Sequence, residues 1–299
     1  MPDVIFEEIE CKSAVTKVNL PAGNRMPFRW SLNPYRGCQH ACTYCFARGT
    51  HEYLGYDSGR DFESRVVVKV NAPEMLRLDL GRATWRRELI QIGTACDPYQ
   101  PAELKYSLTH RILKVLRDFA NPASITTKSP FCVRDADVME QLSQTAAFSV
   151  NFSIGTLDDD VWKRTEPATA RPRKRLEAMK LLSERGIHVG VMLAPVLPGI
   201  TDDPRALEDV VEAAREYGAS FVHSNVLYLK PGTREWFMPF LRESYPHLDE
   251  RYAKYYRGSY APKTYTQEVH RTIDGLRLKY GLVQREAPDP SAGQLQLAM

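Results

Sequence analysis

From about residue 89 onward, short apolar runs alternate with longer segments in which apolar side chains recur every three or four positions. The short runs are rich in β-branched residues, as strands are, and lie at 88–95, 122–129, 147–155, 188–196 and 220–229. The longer segments have helical periodicity and lie at 102–119, 134–145, 171–186 and 203–218. The last two end at Gly186 and Gly218, residues suited to the left-handed position that closes a helix.

One more strand–helix unit precedes this alternation. The segment RWSLNPY (29–35) predicts a strand, and a helix is expected from about Cys42. Six such units in a row are typical of an α/β fold with a parallel sheet, so we predict a partial (β/α)6 barrel of the TIM type. In such barrels the carboxyl ends of the strands meet on one face, which would collect polar loops such as GTACDPYQP (93–101) and TKSP (127–130).

The barrel pattern covers residues 29–230 and leaves three other regions. Residues 1–28 form an N-terminal extension, and residues 52–88 form an insertion with a strand-like RVVVKV run and a helical segment after it. Residues 231–299 form a C-terminal extension rich in tyrosine, with a helix expected at TQEVHRTIDGLRLKYG. The chain ends in a polar tail that we expect to be disordered.

Composition and the N-terminal sequence indicate the class of protein and its cellular compartment. The 299 residues carry 43% hydrophobic and 26% charged side chains and a net charge of +3, which is typical of a globular protein and does not exclude a nucleic-acid partner. The N-terminus lacks the apolar stretch of a signal peptide, and no run is long enough to cross a membrane. We therefore expect a cytoplasmic protein without a membrane partner, whose six cysteines stay reduced for metal binding or catalysis.

Three of the six cysteines lie within eight residues. Cys38, Cys42 and Cys45 form a C-x3-C-x2-C pattern within NPYRGCQHACTYCFAR. Thiolates select zinc or iron–sulfur clusters. A zinc site would need a fourth ligand, which His40 or His51 could supply, although the chain has no second C-x2-C pair. On a [4Fe–4S] cluster, three thiolates leave one iron open for a substrate or cofactor; a non-catalytic metal-binding module is the remaining alternative.

The cysteine spacing and the six strand–helix units together resemble the radical S-adenosylmethionine (SAM) superfamily. The order of CQHACTYC, GTACDPYQPAE, TKSP, NFSIGTLDDD, TEPAT and VMLAPVLPG over about residues 30–230 resembles the spore photoproduct lyase branch, and most of all its less characterised relatives. The resemblance implies an enzyme with a [4Fe–4S] cluster on Cys38, Cys42 and Cys45, and with SAM bound at the open iron. It further implies that an electron, from a reductant such as flavodoxin or ferredoxin, cleaves SAM to a 5′-deoxyadenosyl radical that takes a hydrogen atom from the substrate.

The resemblance also assigns cofactor-binding residues. Lys128 of TKSP matches a lysine that meets the SAM carboxylate, and Ser153 of FSIG matches a serine at the methionine moiety. Ala194 of LAPV matches a small residue near the adenine, and Cys96 stands where the lyase has a serine on SAM. Independently of the family, a lone cation at a strand end can neutralise a carboxylate, whereas a solvated surface lysine is the alternative for Lys128.

Catalytic roles are predicted for Tyr44, Tyr99 and Cys96. Tyr44 occupies the place of a lyase tyrosine between the last two cluster cysteines, and Tyr99 either lines the site or closes the turn in which it stands. Two departures from the lyase concern hydrogen transfer: Thr94 replaces the cysteine that returns a hydrogen atom, and Phe46 replaces a tyrosine of its radical relay. Cys96, two residues after Thr94, would project from the same side of an extended strand and is either a substitute donor or a SAM contact.

Two substrate hypotheses follow. The first is repair or modification of a nucleic-acid base, supported by the family and by residues 171–185, which contain six Lys/Arg against two Glu and include RPRKR. A solvated helix face would explain the same run. The second is modification of a small metabolite or peptide, which agrees with the modest net charge and the altered hydrogen-donor positions.

Overall fold

A seven-stranded sheet forms the centre of the computed structural model, which describes residues 4–18 and 28–282. Its strands, in order across the sheet, are β10 (Phe221–Val226), β9 (His188–Val196), β8 (Phe148–Ser153), β7 (Ala123–Thr127), β6 (Ile90–Ile92), β3 (Trp30–Leu32) and β2 (Val15–Lys17). A smaller sheet has the order β1 (Ile5–Ile9), β5 (Arg65–Lys69) and β4 (Tyr35–Arg36).

Six strands of the main sheet are parallel and follow one another in chain order, from β3 through β6 to β10. β2 pairs antiparallel with β3 at one edge, and within the described residues it does not meet β10 at the other. The sheet is therefore open. The predicted α/β fold with a parallel sheet is confirmed, and its six strands are those of a partial barrel.

The described residues form eleven α-helices. They are α1 (Arg60–Ser64), α2 (Ala72–Leu80), α3 (Ala102–Tyr106), α4 (Leu108–Asp118), α5 (Ala136–Thr145), α6 (Asp159–Thr165), α7 (Pro172–Glu184), α8 (Pro204–Glu216), α9 (Thr233–Ser244), α10 (Asp249–Tyr255) and α11 (Lys263–Lys279). Short 3-10 helices lie at Arg48–Thr50, Glu52–Leu54, Pro130–Asp135 and Pro246–Leu248. Gly186 and Gly218 have φ angles of 74° and 84° just beyond α7 and α8, so the predicted glycine endings are confirmed.

The helix predicted at 102–119 is divided into α3 and α4. Ser107, between them, has a φ of 49°, in the left-handed region that a continuing α-helix does not use. The carboxylate of Glu103 turns back and accepts the backbone N–H groups of Thr109 (3.0 Å) and His110 (3.3 Å), which are free donors at the start of α4. The apolar periodicity of the sequence gives no sign of this break, because the helix is interrupted by the buried Glu103 carboxylate and not by a glycine or a proline.

The helix predicted from Cys42 is absent from the described chain, and that prediction was wrong. The segment forms turns, with Ala41 at a φ of 54°, because the carbonyl of Cys42 accepts the guanidinium of Arg48 (3.1 and 3.2 Å) in place of a helical amide. The helix that packs beside α4 in this unit is α2, which lies within the predicted insertion and ends before Gly81. Its apolar face joins the main core through Leu76 and Leu80.

The N-terminal extension contributes to both sheets. β1 runs parallel to β5, which is the RVVVKV strand predicted in the insertion, and β2 extends the main sheet. The described part of the C-terminal extension contains α11, which confirms the predicted helix there. The predicted domain boundaries at residues 28 and 230 stay predictions, and the tail predicted to be disordered lies outside the described residues.

The two faces of the main sheet differ in polarity. Residues that face the helices, such as Ile92, Ile125 and Val150, belong to the main hydrophobic core. On the opposite face, polar side chains bond to one another: Ser124 Oγ lies 2.8 Å from Ser149 Oγ, and Asn151 Nδ2 donates to Ser124 Oγ (2.8 Å). The inner side of the partial barrel is consequently lined by uncharged hydrogen-bonding groups. No helix within 4–18 and 28–282 is long and apolar enough to cross a bilayer.

A second core joins the C-terminal extension to the cysteine segment. Cys42 and Tyr44 pack with apolar residues from the end of β10 and from the helices after it: Leu227, Leu229, Phe237, Leu241, Tyr252 and Tyr256. The carbonyl of Cys45 also accepts the Thr233 hydroxyl (3.1 Å). Most tyrosines of this extension therefore serve packing, and they hold the cysteine segment against the barrel.

Adding one methyl group at two glycines should change stability in opposite directions. At Gly190 in β9, a Cβ would lie 2.3 Å from the Phe221 ring, so Gly190→Ala is expected to lower the free energy of unfolding by about 1–3 kcal/mol. At Gly275 in α11 a Cβ would meet nothing within 4 Å, so Gly275→Ala should raise it by about 0.5–1 kcal/mol. Urea unfolding measures both, and shifts of the same sign would contradict this packing.

Candidate active site

The three clustered cysteines lie in a loop that follows β3 and β4, at the carboxyl end of the parallel sheet. Cys38 and Cys42 are buried, Cys45 is half-buried, and all three are free thiols. Gln100, in the loop after β6, fixes the first part of this loop: its side chain donates to the Gly37 carbonyl (3.1 Å) and accepts the backbone N–H of Gln39 (3.0 Å). Gln100 is fully buried.

Arg48 fixes the second part of the loop from inside the protein. Its fully buried guanidinium lies over the rings of Trp236 (4.5 Å) and Phe62 (5.2 Å). It donates to the carbonyls of Cys42 and Gly59 (2.8 Å) and forms an ion pair with Glu63 (2.5 Å). A single side chain thus satisfies backbone groups that no helix or strand satisfies.

The electrostatics of the thiols depend on what binds them. Burial, followed by the charges of Asp97, Cys42 and Cys45, raises the pKa of Cys38 well above its ordinary value. Burial raises the pKa of Cys42 to about 12, against the opposing charge of Lys128. The three sulfurs are close enough for their charges to interact, and Cys38 and Cys42 become thiolates only beside a cation.

This donor set fits an iron–sulfur cluster, because thiolates are the ligands such clusters take and three of them lie together here. No three His, Cys, Asp or Glu side chains in the described ranges are arranged to hold a single metal ion. Of the two histidines considered as zinc ligands, His51 Nε2 lies 3.0 Å from the Arg65 carbonyl, and His40 Nδ1 lies 3.2 Å from Asp97. The family of the protein, and not this geometry, identifies the group that the thiols would bind.

Asp97 connects the cysteine loop to the end of β7. Its carboxylate accepts the Thr127 hydroxyl (2.8 Å) and the backbone N–H groups of Lys128 (2.7 Å) and Tyr99 (2.8 Å). Burial would raise the pKa of Asp97, but His40 and these hydrogen bonds lower it to about 2. The side chain is therefore a permanent anion between the loops after β6 and β7.

Three of the predicted cofactor-binding residues form a hydrogen-bonded row across three strand ends. Lys128 Nζ, after β7, donates to Ser153 Oγ at the end of β8 (2.9 Å), and that hydroxyl donates to the carbonyl of Ala194 in β9 (3.2 Å). Burial would lower the pKa of Lys128, but Cys42 and Glu166 outweigh burial and raise it. Lys128 is thus a charged group held at the mouth of the barrel, and it is not a solvated surface lysine.

Tyr44 belongs to a buried charged cluster that the sequence patterns did not predict. Its hydroxyl donates to Glu166 of TEPAT, and its ring lies 5.6 Å from Lys128 Nζ. Arg175 forms an ion pair with Glu166 and donates to the Ser153 carbonyl (2.7 Å). Burial would raise the pKa of Glu166, but Arg175 and Lys128 keep it below its usual value. The conspicuous TEPAT segment was the one signal for this cluster.

The RPRKR run divides between the interior and the surface. Arg175 is fully buried, and Lys174 forms an exposed ion pair with Glu177 (2.7 Å). Arg171 lies 3.6 Å from Asp159, and Arg173 is exposed. Arg175 is therefore not available to phosphates, and contact of the rest of the run with phosphates stays a prediction.

The remaining predicted residues lie in the loop after β6. Asn33 holds this loop by donating to Thr94 Oγ1 (2.9 Å) and by accepting the backbone N–H of Ala95 (2.8 Å); its Oδ1 also lies 3.9 Å from Cys96 Sγ. Burial raises the pKa of Cys96 to about 12. Tyr99 packs, like Cys96, in the main core, and its hydroxyl donates to Asp135 (3.0 Å). Asn33 was not predicted, and its place after β3 was the available signal.

Comparison with known proteins identifies the family. The model of the radical SAM superfamily matches residues 32–211, which span the barrel from the end of β3 into α8. The chain belongs to the radical SAM superfamily. An uncharacterised protein of Mycobacterium tuberculosis is 39% identical over 288 residues, covering 96% of this chain and 84% of that protein. An uncharacterised protein of Methanocaldococcus jannaschii is 29% identical over 266 residues, covering 89% of this chain and 92% of that protein.

Among solved structures, this radical SAM enzyme resembles spore photoproduct lyase. The lyase complexed with dinucleoside spore photoproduct superposes with a TM-score of 0.68 at 15% identity, over 92% of this chain and 79% of that chain. A lyase structure with bound AdoMet gives a TM-score of 0.66 over 85% of this chain and 74% of that chain, also at 15% identity. At this identity the likeness concerns the fold, and it confirms the predicted similarity to that branch.

Removing Arg175 should destabilise this radical SAM enzyme strongly. Arg175→Met leaves the buried Glu166 carboxylate without its guanidinium, so the free energy of unfolding should fall by about 3–5 kcal/mol. Lys174→Met is the matched control, because it breaks an exposed pair and should change this energy by less than about 1 kcal/mol. Denaturant unfolding under anaerobic conditions compares the two, and equal losses would refute the structural role of the pair.

Proposed function

We propose that this radical SAM enzyme binds a [4Fe–4S] cluster through Cys38, Cys42 and Cys45 and repairs or modifies a base in nucleic acid. When bound, the cluster and SAM together supply a 5′-deoxyadenosyl radical that abstracts a hydrogen atom. The observation that carries this proposal is the position of the thiols beside the Lys128–Ser153–Ala194 row, at one mouth of the partial barrel. The Lys128 ammonium couples electrostatically to Cys42, so sulfur ligands and a carboxylate-binding group face a common space.

Each member of the row has a chemical part in holding SAM. Lys128 remains charged and offers its ammonium to the carboxylate of the methionine moiety. Ser153 both accepts from Lys128 and donates to the Ala194 carbonyl, so its hydroxyl fixes the direction of the ammonium. Ala194 has a small side chain at a strand end, which suits contact with the flat adenine.

Tyr44 and Cys96 serve the same site. Tyr44 is held by Glu166 and places an aromatic face near Lys128, where it limits the positions the ammonium adopts. The high pKa of Cys96, caused by burial, keeps a hydrogen on its sulfur at neutral pH. A thiol hydrogen is bound much more weakly than that of the Thr94 hydroxyl, so Cys96 serves in this loop either as the hydrogen donor or as a contact to SAM. Tyr99 closes the turn and supports Asp97 through its backbone N–H.

A soluble one-electron reductant, of the flavodoxin or ferredoxin kind, completes the proposed reaction, and a cytoplasmic location belongs to the same proposal. Modification of a small metabolite or peptide is the competing outcome. The two are separated by incubating the reconstituted enzyme with deuterated oligonucleotides and with deuterated small molecules. Deuterium recovered in 5′-deoxyadenosine identifies the substrate, and transfer from small molecules alone would refute the nucleic-acid assignment.

Each cluster cysteine should be required for iron. Anaerobic reconstitution of the native chain is expected to give about four iron and four sulfide per chain, with 5′-deoxyadenosine formed on addition of dithionite and SAM. Cys38→Ala, Cys42→Ala and Cys45→Ala should each lose most of the iron and all of this product. Cys11→Ser is the control, because Cys11 lies in the N-terminal region, where its backbone N–H donates to the Asn71 side chain. A zinc-containing chain without 5′-deoxyadenosine formation would overturn the assignment.

Lys128 should determine the affinity for SAM. Lys128→Met removes a charge-assisted hydrogen bond to the carboxylate, so the Kd for SAM should rise about 10- to 100-fold. Lys180→Met, which removes an exposed lysine of α7, serves as the control. Calorimetric titration of the reconstituted chains with SAM gives both values, and an unchanged Kd in Lys128→Met would remove Lys128 from the site.

A further inference from the structure

The strongly exposed aromatic side chains of the described chain surround one short segment. Phe46, Tyr53 and Tyr260 are 53%, 87% and 71% exposed, whereas most other aromatic side chains are buried or half-buried. Cys45 and Glu52, the residues before Phe46 and Tyr53, contact residues 227–234, here called the mouth segment, and Tyr260 pairs with it; this segment directly follows β10 at the carboxyl end of the sheet. Aromatic rings left in water at the mouth of a barrel require an explanation, since packing normally removes them.

Contacts place the cysteine loop directly against the mouth segment. The Thr233 hydroxyl donates to the carbonyl of Cys45 (3.1 Å), the residue before Phe46. At Gly232 a Cβ would lie 2.6 Å from Gly49 Cα and 3.0 Å from the side chain of Glu52, the residue before Tyr53. Phe46 and Tyr53 therefore border the segment from the side of the thiols.

Tyr260 borders the segment from its other side. It lies in residues 256–263, here called the return segment, which pairs with the mouth segment through a Tyr228–Tyr260 bridge and a hydrogen bond from Leu229 N–H to the Ser259 carbonyl (2.9 Å). The rings of Tyr228 and Tyr260 stack at 4.4 Å with an interplanar angle of 25°. They form a flat aromatic step that remains accessible on the Tyr260 side.

The charge of these two segments is one-sided. The mouth and return segments contain four basic residues and no acidic residue: Lys230, Arg234, Arg257 and Lys263. Within 4–18 and 28–282 none of the four forms an ion pair, whereas Arg185, Arg111 and many other surface arginines do. Arg234 is occupied by the carbonyls of Tyr256 and Gly258, and the ammonium of Lys230 lies 4.9 Å from the Tyr228 ring.

We propose that this surface binds a nucleic-acid strand with unpaired bases, and the proposal rests on the proposed function because it names the partner of that site. Unpaired bases stack on exposed aromatic rings, here the Tyr228–Tyr260 step and Phe46. The phosphates between them meet Lys230, Arg257 and Lys263, which form no ion pair in the described chain. A surface with both aromatic rings and cations suits a nucleic-acid strand, which has flat bases as well as phosphates. An acidic peptide would supply negative charge but no flat group to stack on the rings.

Binding is tested with the reconstituted full chain and fluorescein-labelled 12-mers of single-stranded DNA and single-stranded RNA, with duplex DNA and a poly-glutamate peptide as comparisons. Fluorescence anisotropy should show tighter binding to a single strand than to the duplex or the peptide. The logarithm of the binding constant should fall linearly with the logarithm of the salt concentration, with a slope of about 0.7 per phosphate contact. DNA and RNA arms show which sugar is preferred, and tightest binding to the duplex or to the peptide would overturn the proposal.

Variants locate the surface. Tyr260→Ala is expected to weaken single-strand binding about 5- to 100-fold, because the base that stacks on the Tyr260 ring loses that contact. Lys230→Ala and Arg257→Ala should each weaken it and lower the salt slope by about 0.7. Lys114→Ala removes an equal charge from the exposed side of α4 and should leave binding unchanged. Native affinity in both Tyr260→Ala and Lys230→Ala would overturn the proposal, and circular dichroism confirms that the variants are folded.

The outcome for this surface can be told apart from that for the proposed function. If the native chain forms 5′-deoxyadenosine from SAM but does not bind single strands, the proposal for this surface fails and the radical chemistry stands. If it binds single strands in the predicted way but forms no 5′-deoxyadenosine, the surface stands and the proposed function fails.

Discussion

Three thiols, two buried and one half-buried, have to be held near one another by a loop that contains no strand and no α-helix, and much of the structure follows from that constraint. Arg48 supplies the hydrogen bonds that a helix would have supplied, and contacts with the rings of Phe62 and Trp236 keep its guanidinium in place. Gln100 does the same for the other half of the loop. The C-terminal extension then covers the loop, so the packing of its tyrosines and the geometry of the thiols depend on one another.

The second requirement is charge balance in a region with little water. Asp97, Glu166 and Lys128 are placed where burial opposes ionisation, and charged or hydrogen-bonding neighbours keep each of them charged; Arg175 is the ion-pair partner of Glu166. Because the partners come from different loops, the charges also fix the loops relative to one another. A site built in this way is preorganised: Lys128 has a defined direction before any ligand arrives.

Predictions from local pattern succeeded where the determining interaction is local. Strand and helix periods located all six parallel strands and most of the helices, since burial of one face imposes those periods. They failed at Ser107 and after Cys42, where the side chains of Glu103 and Arg48 bond to backbone groups six residues away and replace backbone hydrogen bonds. Charge along the chain also did not distinguish the buried Arg175 from the exposed basic residues beside it.

The sequence by itself determined the family, the open parallel barrel and the three thiols, because spacing and periodicity are properties of short stretches that survive without contacts. It also named Lys128, Ser153 and Ala194 through resemblance. Only the tertiary structure decided that these residues form one hydrogen-bonded row, that Tyr99 turns into the core, and that Phe46, Tyr53 and Tyr260 remain exposed. The reason is physical: burial, ion pairing and accessibility are set by residues far apart in the chain, which meet only when the sheet and its loops have assembled.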